Sequence, residues 1–338
     1  MELRKEYLNG ETVETIYFGG GTPSLLQIED CRLQIEALHS YFTIAGNAEI
    51  TLEANPDDIT EEKLTGWKEA GINRLSIGIQ SFFDEDLQWM NRAHTAQQAI
   101  GNLQLAIHYF DNISIDLIYG TPLLTDEKWR KNIETAVEFD VPHLSCYALT
   151  VEPKTPLAKM IRLHKMEDVN TDRQSEQFLQ LMQFMEMAGY EHYEISNFAK
   201  PGWRSRHNTS YWSTGADGPG KKYLGIGPSA HSYDGTSRQW NISNNQVYTD
   251  WIIRGIIPFE KEILTGTQQL NEYIMTSLRT MEGLNLDKLD ETEMGRLLIV
   301  SRKYIESGLL KHENNRLVLT KEGKLFADGI AADLFRET

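Results

Sequence analysis

Cysteine, long apolar runs and positive charge are all scarce in this chain of 338 residues. There are two cysteines, Cys31 and Cys146, too few for a disulfide framework. No apolar run approaches the roughly 18 residues of a membrane helix. Met1-Glu2-Leu3-Arg4-Lys5 does not begin a signal peptide. The expectation is a cytoplasmic protein without stable membrane insertion. Acidic residues outnumber basic ones 49 to 33, for a net charge of -16. Such a surface repels phosphate backbones, so nucleic acid is not an expected partner. Hydrophobic content of 40% is ordinary for a globular protein. The length favours one large domain with a smaller one.

Glycine, by contrast, is concentrated where it can matter. The run Thr15-Ile16-Tyr17-Phe18-Gly19-Gly20-Gly21-Thr22-Pro23 reads as a buried strand entering a glycine turn stiffened by proline. Further strands are expected at Glu49–Glu53, Arg74–Gln80, Ile113–Tyr119 and His143–Thr150. Helical patterns lie between them, at Ser24–His39 behind a Ser24 cap, Thr60–Ala70, Thr95–His108 and Thr125–Phe139. Thr60 and Thr125 each precede first-turn acids, as suits a helix start. Repeated βα units demand a parallel sheet, and five strands fit a partial or complete (β/α) barrel with its ligand end at the strand C-termini. The fold class is therefore α/β, with residues 1–171 as a partial TIM-like barrel.

Residues 151–171 read as a loop with two prolines. Residues 172–265 form a barrel extension and connecting region, with a helix at Asp172–Met187 stopped by Gly189, and short strands at His192–Ile195 and Tyr223–Ile226. Gly225, Gly227 and Ala230 match a dinucleotide-binding pattern but have no βαβ context, so they read as a turn. His143 and Cys146 have no second ligand pair, which argues against zinc. Residues 266–338 give helices at Gln268–Leu278 and Glu293–Ser307, a hairpin turning at Asn314-Asn315, and a last helix at Lys321–Phe335. That order resembles a winged helix. From Gly266 onward ten basic residues face twelve acidic ones, so a lid or packing role is expected rather than DNA binding.

Four strand ends carry the chemistry: Gly19-Gly20-Gly21-Thr22-Pro23, Leu52-Glu53-Ala54-Asn55-Pro56, Gly78-Ile79-Gln80-Ser81-Phe82 and Asp116-Leu117-Ile118-Tyr119-Gly120-Thr121-Pro122. Together they resemble the radical S-adenosylmethionine proteins of the oxygen-independent coproporphyrinogen III oxidase family. The downstream run Glu194-Ile195-Ser196-Asn197-Phe198-Ala199, then Arg204-Ser205-Arg206-His207-Asn208 and Tyr211-Trp212, resembles the heme chaperone branch of that family.

The resemblance implies a site for S-adenosylmethionine. Gly20, Gly21 and Thr22 are expected at its methionine part, Glu53 at the ribose hydroxyls, and Gln80, Arg92 and Asp116 around the rest, with Thr150 a weaker candidate. Arg92 suits a carboxylate, because a guanidinium forks onto one. For heme it implies His207 as iron ligand, Arg204 and Arg206 at the propionates, and Trp203, Tyr211 and Trp212 over the macrocycle. The residues alone leave other readings open. The glycines also close a tight turn, Glu53 also suits a helix cap, and Arg92 also suits a solvated surface. The aromatic, histidine and arginine cluster equally fits a packed loop. Asp116 differs, because a carboxylate inside an apolar run needs a partner.

The family's Cys-x3-Cys-x2-Cys loop, which binds a [4Fe-4S] cluster, has no counterpart here. Eighteen residues precede Gly19 and none is cysteine. Cys31 and Cys146 read as buried apolar residues. The expectation is a chain lacking the first barrel strand and the cluster segment, with the cluster confined to a full-length form. Three functions follow from the resemblance: a heme chaperone that hands heme to an acceptor protein, an oxygen-independent coproporphyrinogen III oxidase that converts propionates to vinyl groups by radical decarboxylation, and a cluster-less heme or S-adenosylmethionine binding module.

Overall fold

The computed structural model describes residues 1–212 and 221–337. Part of the glycine-rich section expected within 190–245 falls outside the described residues. The chain divides into two compact units. One comprises residues 16–32 and 49–205; the other comprises residues 1–15, 33–48 and 206–338.

A seven-stranded sheet curls into a half-barrel. Its strands are β1 (Val13–Phe18), β2 (Ile44–Ala54), β3 (Arg74–Gln80), β4 (Ile113–Tyr119), β5 (His143–Ala148), β6 (Glu191–Glu194) and β7 (Asn197–Ala199), in the order β1-β2-β3-β4-β5-β7-β6. Strands β2 to β5 pair in parallel, and the β6–β7 hairpin closes the far side antiparallel to β5. Parallel strands covered on both faces read as continuous apolar runs. Leu75, Ile77, Ile79, Ile113, Ile115, Leu117 and Leu144 accordingly are fully buried. Each fully buried side chain of this size contributes about 1.5–3 kcal/mol.

The expected helix starts hold where a threonine accepts a backbone N–H. Thr60 caps Glu61–Glu69, Thr125 caps Asp126–Glu138, and Thr95 forms a capping box with Gln98 on Ala96–Tyr109. Ser24 does not act this way. Its buried hydroxyl donates to Asp58 at 2.6 Å, and the helix proper runs Ile28–Tyr41 after a short 3-10 turn at Pro23–Leu25. Trp129 anchors one crossover helix. Its ring is 5.4 Å from that of Tyr119, its Nε1–H donates to the Gln177 carbonyl at 3.0 Å, and Phe178 stacks on Tyr119.

The stretch expected to be loop between 151 and 171 contains a helix, Pro156–Arg162. Thr155 caps it and Pro156 occupies its first turn, where the missing N–H costs nothing. The helix that follows is Thr171–Met187, capped by Asn170 and ended before Gly189 in the left-handed conformation.

In the second unit, β8 (His231–Tyr233), β9 (Ser237–Asn241) and β10 (Phe259–Ile263) form an antiparallel sheet in the order β10-β9-β8. The strand expected at Tyr223–Ile226 reduces to one bridge between Tyr223 and Tyr233. A Cβ at Gly225 would sit 2.2 Å from the His231 carbonyl, so the chain crosses that backbone too closely to run beside it as a regular strand. The C-terminal part is winged-helix-like. Helices Gly266–Leu278 and Glu291–Glu306 precede the hairpin of β12 (Leu310–Glu313) and β13 (Arg316–Leu319), with β11 (Leu284–Asn285) as third strand. Asn314 and Asn315 both have positive φ, which matches the right-handed twist of a two-residue hairpin loop. The single last helix expected from Lys321 is two helices, Lys321–Lys324 and Ala327–Leu334. Gly323 lies so close to the Leu309 carbonyl that a Cβ would collide, and the chain turns at Leu325-Phe326 to keep that contact.

Candidate functional site

At the C-terminal ends of β1 to β4 the polar residues gather. The glycine turn leaves β1 with Gly20 and Gly21 at φ of +76° and +65°. Among the described residues nothing lies within 4 Å of where a Cβ would stand at either one. The turn therefore offers bare backbone to open space, a shape only glycine supplies without strain. Thr22 follows, and its carbonyl accepts the Leu25 N–H. Glu53, the second-last residue of β2, turns back to this segment. Its Oε2 accepts the Gly20 N–H at 3.1 Å, and its Oε1 accepts the Tyr17 hydroxyl at 2.7 Å.

The end of β3 is irregular. The register with β4 shifts between Ile77 and Gln80, and Gln80 has a φ of +67°. Left-handed backbone at a residue other than glycine costs on the order of 1–3 kcal/mol and concentrates at functional sites, as do strand bulges. Gly78 makes room within this bulge. A Cβ there would meet the Gln80 Nε2 at 2.9 Å and the Arg92 Nη2 at 3.3 Å. Arg92, on the loop after the helix Asp84–Trp89, donates from Nη2 to the Asn55 side chain at 2.9 Å and to the Gly78 carbonyl at 3.4 Å. Its Nε is buried without a hydrogen-bond partner among the described residues. A guanidinium held at one corner by neutral acceptors keeps its charge for an anion.

Asp116 occupies the middle of β4, opposite Ser145 of β5. Burial pushes its carboxyl up to about 7, with Glu53 adding to the rise. A hydrogen bond with Ser145 and the charges of Arg74 and Arg92 hold it down. Near neutral pH this group therefore exists in both protonation states. A cationic ligand brought to it favours the carboxylate.

Gly20, Glu53, Gln80 and Arg92 thus gather at one end of the sheet, and Gly21 and Thr22 continue the same turn; Asp116 lies farther in, near enough to Glu53 and Arg92 to feel their charges. Thr150 is an exposed residue two positions beyond β5, with its hydroxyl 3.5 Å from the Ala148 carbonyl. Sequence reasoning missed Tyr17 and Asn55 as holders of Glu53 and Arg92. Both lay inside the motifs it singled out, but their partners are set by the fold.

The open glycine cradle, the oriented carboxylate and the Arg92 guanidinium held by neutral acceptors fit a ligand with a diol, a carboxylate and a positive centre, which is the chemistry of S-adenosylmethionine. The thiols do not fit an iron–sulfur cluster. Cys31 belongs to the helix Ile28–Tyr41 and Cys146 to β5; both are buried, and burial raises the pKa of each. Cluster ligands are thiolates.

The residues expected at heme fall on and beside the short helix Arg206–Trp212. His207 Nδ1 lies 3.3 Å from the Thr15 hydroxyl, and the Tyr211 ring packs edge-on against the imidazole at 5.1 Å. Tyr223 meets Tyr211 in the same way at 5.1 Å. Arg279 lies over the Trp212 ring at 5.3 Å, and Arg206 donates to the Asn47 carbonyl at 2.6 Å. Arg204, in the barrel unit, pairs with Glu191 at 2.9 Å and lies over the Tyr193 ring. A propionate at Arg204 therefore competes with a protein carboxylate already in place. Trp203 is partly exposed.

Comparison with known proteins agrees with this architecture. Residues 1–136 match the model of the radical SAM superfamily, and residues 264–326 match that of the HemN C-terminal domain. The heme chaperone HemW of Mycobacterium tuberculosis is 33% identical over 336 residues, spanning 99% of this chain and 84% of that protein. HemW of Bacillus subtilis is 33% identical over 326 residues, spanning 94% of this chain and 84% of that protein. The structure of the coproporphyrinogen III oxidase HemN from Escherichia coli, a radical SAM enzyme, superposes with a TM-score of 0.80 at 21% identity, covering 98% of this chain and 81% of that one. With that fold and that degree of identity, the chain belongs to the HemW family, on the radical SAM architecture.

Proposed function

We propose that this chain is a heme-binding chaperone of the cytoplasm that also binds S-adenosylmethionine at the C-terminal end of its half-barrel. One observation carries the adenosyl site: a glycine turn, a carboxylate, a guanidinium and a second carboxylate from four successive βα units converge on one end of one sheet. Gly20, Gly21 and Thr22 receive the methionine part, Glu53 the ribose, Arg92 the carboxylate, and Gln80 and Asp116 the remaining edge. Bound there, the sulfonium supplies a positive, activated carbon–sulfur centre. The chain's own residues bind and orient it, and Asp116 holds or releases a proton according to pH.

For heme, His207 is the iron ligand in this reading. The Thr15 hydroxyl at Nδ1 sets the orientation of the imidazole, as the second hydrogen bond of a ligating histidine commonly does. Tyr211 and Trp212 supply apolar cover, and Arg206 the charge for a propionate. The likeness to proteins named heme chaperones supports this assignment. The acceptor of the heme is a partner protein.

Heme titration tests the reading. Replacing His207 by Ala is expected to weaken heme binding about tenfold or more and to change the Soret band, because an axial nitrogen is removed. An unchanged affinity and spectrum removes His207 as the ligand. Equilibrium binding of S-adenosylmethionine to the wild type tests the other site; no binding removes it.

A further inference from the structure

Tyr17, the second-last residue of β1, reaches the adenosyl end of the sheet. Its ring lies beneath the glycine turn: a Cβ at Gly19 would stand 2.5 Å from a Tyr17 ring carbon and 3.0 Å from Glu53 Oε1. Its hydroxyl reaches Glu53 Oε1 at 2.7 Å, while the Gly20 N–H holds Oε2 at 3.1 Å. Burial and the neighbouring Glu53 carboxylate push the phenol far above its ordinary value. Tyr17 is therefore the donor in this bond.

An ionised carboxylate has about four acceptor positions on its two oxygens. Here one position on each oxygen is taken by the protein, from opposite ends of the carboxylate. Rotation about the last side-chain bond of Glu53 is thereby fixed. One acceptor position on each oxygen is left over, which is the arrangement a vicinal diol requires.

We propose that Tyr17 is a positioning residue for ribose recognition: with the Gly20 N–H it locks the Glu53 carboxylate so that both oxygens accept from the two hydroxyls of one adenosyl ligand. This rests on the reading of Glu53 as ribose acceptor. Gly19 belongs to the same device, because any larger residue displaces the Tyr17 ring from beneath the turn.

The test compares adenosine with 2′,3′-dideoxyadenosine, and S-adenosylmethionine alongside, by calorimetric titration of the wild type, Tyr17→Phe, Glu53→Gln and the double variant. Tyr17→Phe keeps the ring under Gly19 and removes only the hydroxyl. It is expected to weaken adenosine and S-adenosylmethionine about tenfold, the loss of one charge-assisted hydrogen bond, and to leave dideoxyadenosine within about twofold. The double variant is expected to match Glu53→Gln alone, since Tyr17 acts through that carboxylate. Equal weakening of adenosine and dideoxyadenosine by Tyr17→Phe means a structural role and overturns the proposal, as does full retention of the diol preference. If Glu53→Gln keeps the diol preference, the ribose reading itself fails and takes the proposal with it. The preference is a ratio measured within each protein, so a change in stability does not imitate it.

Discussion

Toward the start of its parallel strands the large sheet buries Ser114, His143 and Tyr193; from the middle of β4 to the strand ends it gathers Asp116, Glu53 and Arg92. At the first position the three side chains satisfy one another. His143 Nδ1 meets the Ser114 hydroxyl at 2.7 Å and Nε2 meets the Tyr193 hydroxyl at 2.7 Å, and all three residues are almost wholly excluded from solvent. At the other, among the described residues, a buried Arg92 Nε lacks a partner and two glycines face open space, and Gln80 holds a strained backbone. Both regions carry polar groups into the sheet, which also buries Thr51, Arg74, Ser76 and Ser145. A network closed on itself stabilises one arrangement of the core, whereas one left incomplete keeps donors and acceptors for a ligand. Barrels in general keep their chemistry at the strand C-termini and their stability at the opposite face.

The two regions also respond to pH with opposite sign. Burial, with Arg74 nearby, holds the His143 imidazole well below its usual value. The unfolded chain takes up a proton below about 6.5 that native His143 refuses, so this end loses stability as pH falls from there. Asp116 is raised to about 7. Between about 4 and 7 the native protein keeps a proton that the unfolded chain releases, so this end loses stability as pH rises through that window.

Substitution at His143 has the largest expected effect. His143→Ala strands the hydroxyls of Ser114 and Tyr193 in an apolar interior and opens a cavity. It is expected to cost about 3 kcal/mol or more in urea denaturation at pH 7.5. A loss below about 1 kcal/mol erases the distinction drawn between the two ends. Asp116→Asn comes next and has the reverse sign. It removes a carboxylate that burial penalises, and is expected to stabilise the free protein by on the order of 2 kcal/mol at pH 8 and by little at pH 4. The same variant should abolish any rise in S-adenosylmethionine affinity between pH 6 and 8. A free protein made less stable at pH 8 contradicts the assignment of Asp116 to the incomplete end.

How much of this was legible beforehand differs between the regions for a physical reason. Strands β3 and β4 could be read to the residue, because near-continuous apolar runs bounded by polar residues admit one assignment. Thr60 and Thr125 announced their helices through local hydrogen bonds, and the structure adds Thr95 as a third such cap. Ser24 carried the same signal, yet its hydroxyl was drawn to Asp58, a partner over thirty residues away. Pro156 looked like a breaker and instead opened a helix. Glu53, Gln80, Arg92 and Asp116 could be singled out because each lies within or shortly after a strand, in or beside a recognisable motif. The Ser114, His143 and Tyr193 network was not, since its members are joined only by the pairing of β4 with β5 and by the β6–β7 hairpin, which registers no local pattern. Tyr17 was hidden for a related reason, because its contact with Glu53 exists only once the turn folds back on its own strand.

The smallest expected effect is the one that tests whether location alone makes a site. Thr150 lies just past β5, at the same end as Glu53 and Asp116, but it is exposed and its hydroxyl approaches the Ala148 carbonyl only at 3.5 Å. That separation is longer than an effective O–H···O bond. Thr150→Val is therefore expected to leave S-adenosylmethionine affinity within about twofold and stability within about 0.5 kcal/mol. A tenfold loss of affinity would place Thr150 among the ligand-holding residues and make proximity to the strand ends, rather than an unspent donor or an oriented acceptor, the property that selects them. If instead Thr150→Val is silent while Glu53→Gln weakens binding, engagement separates the two positions.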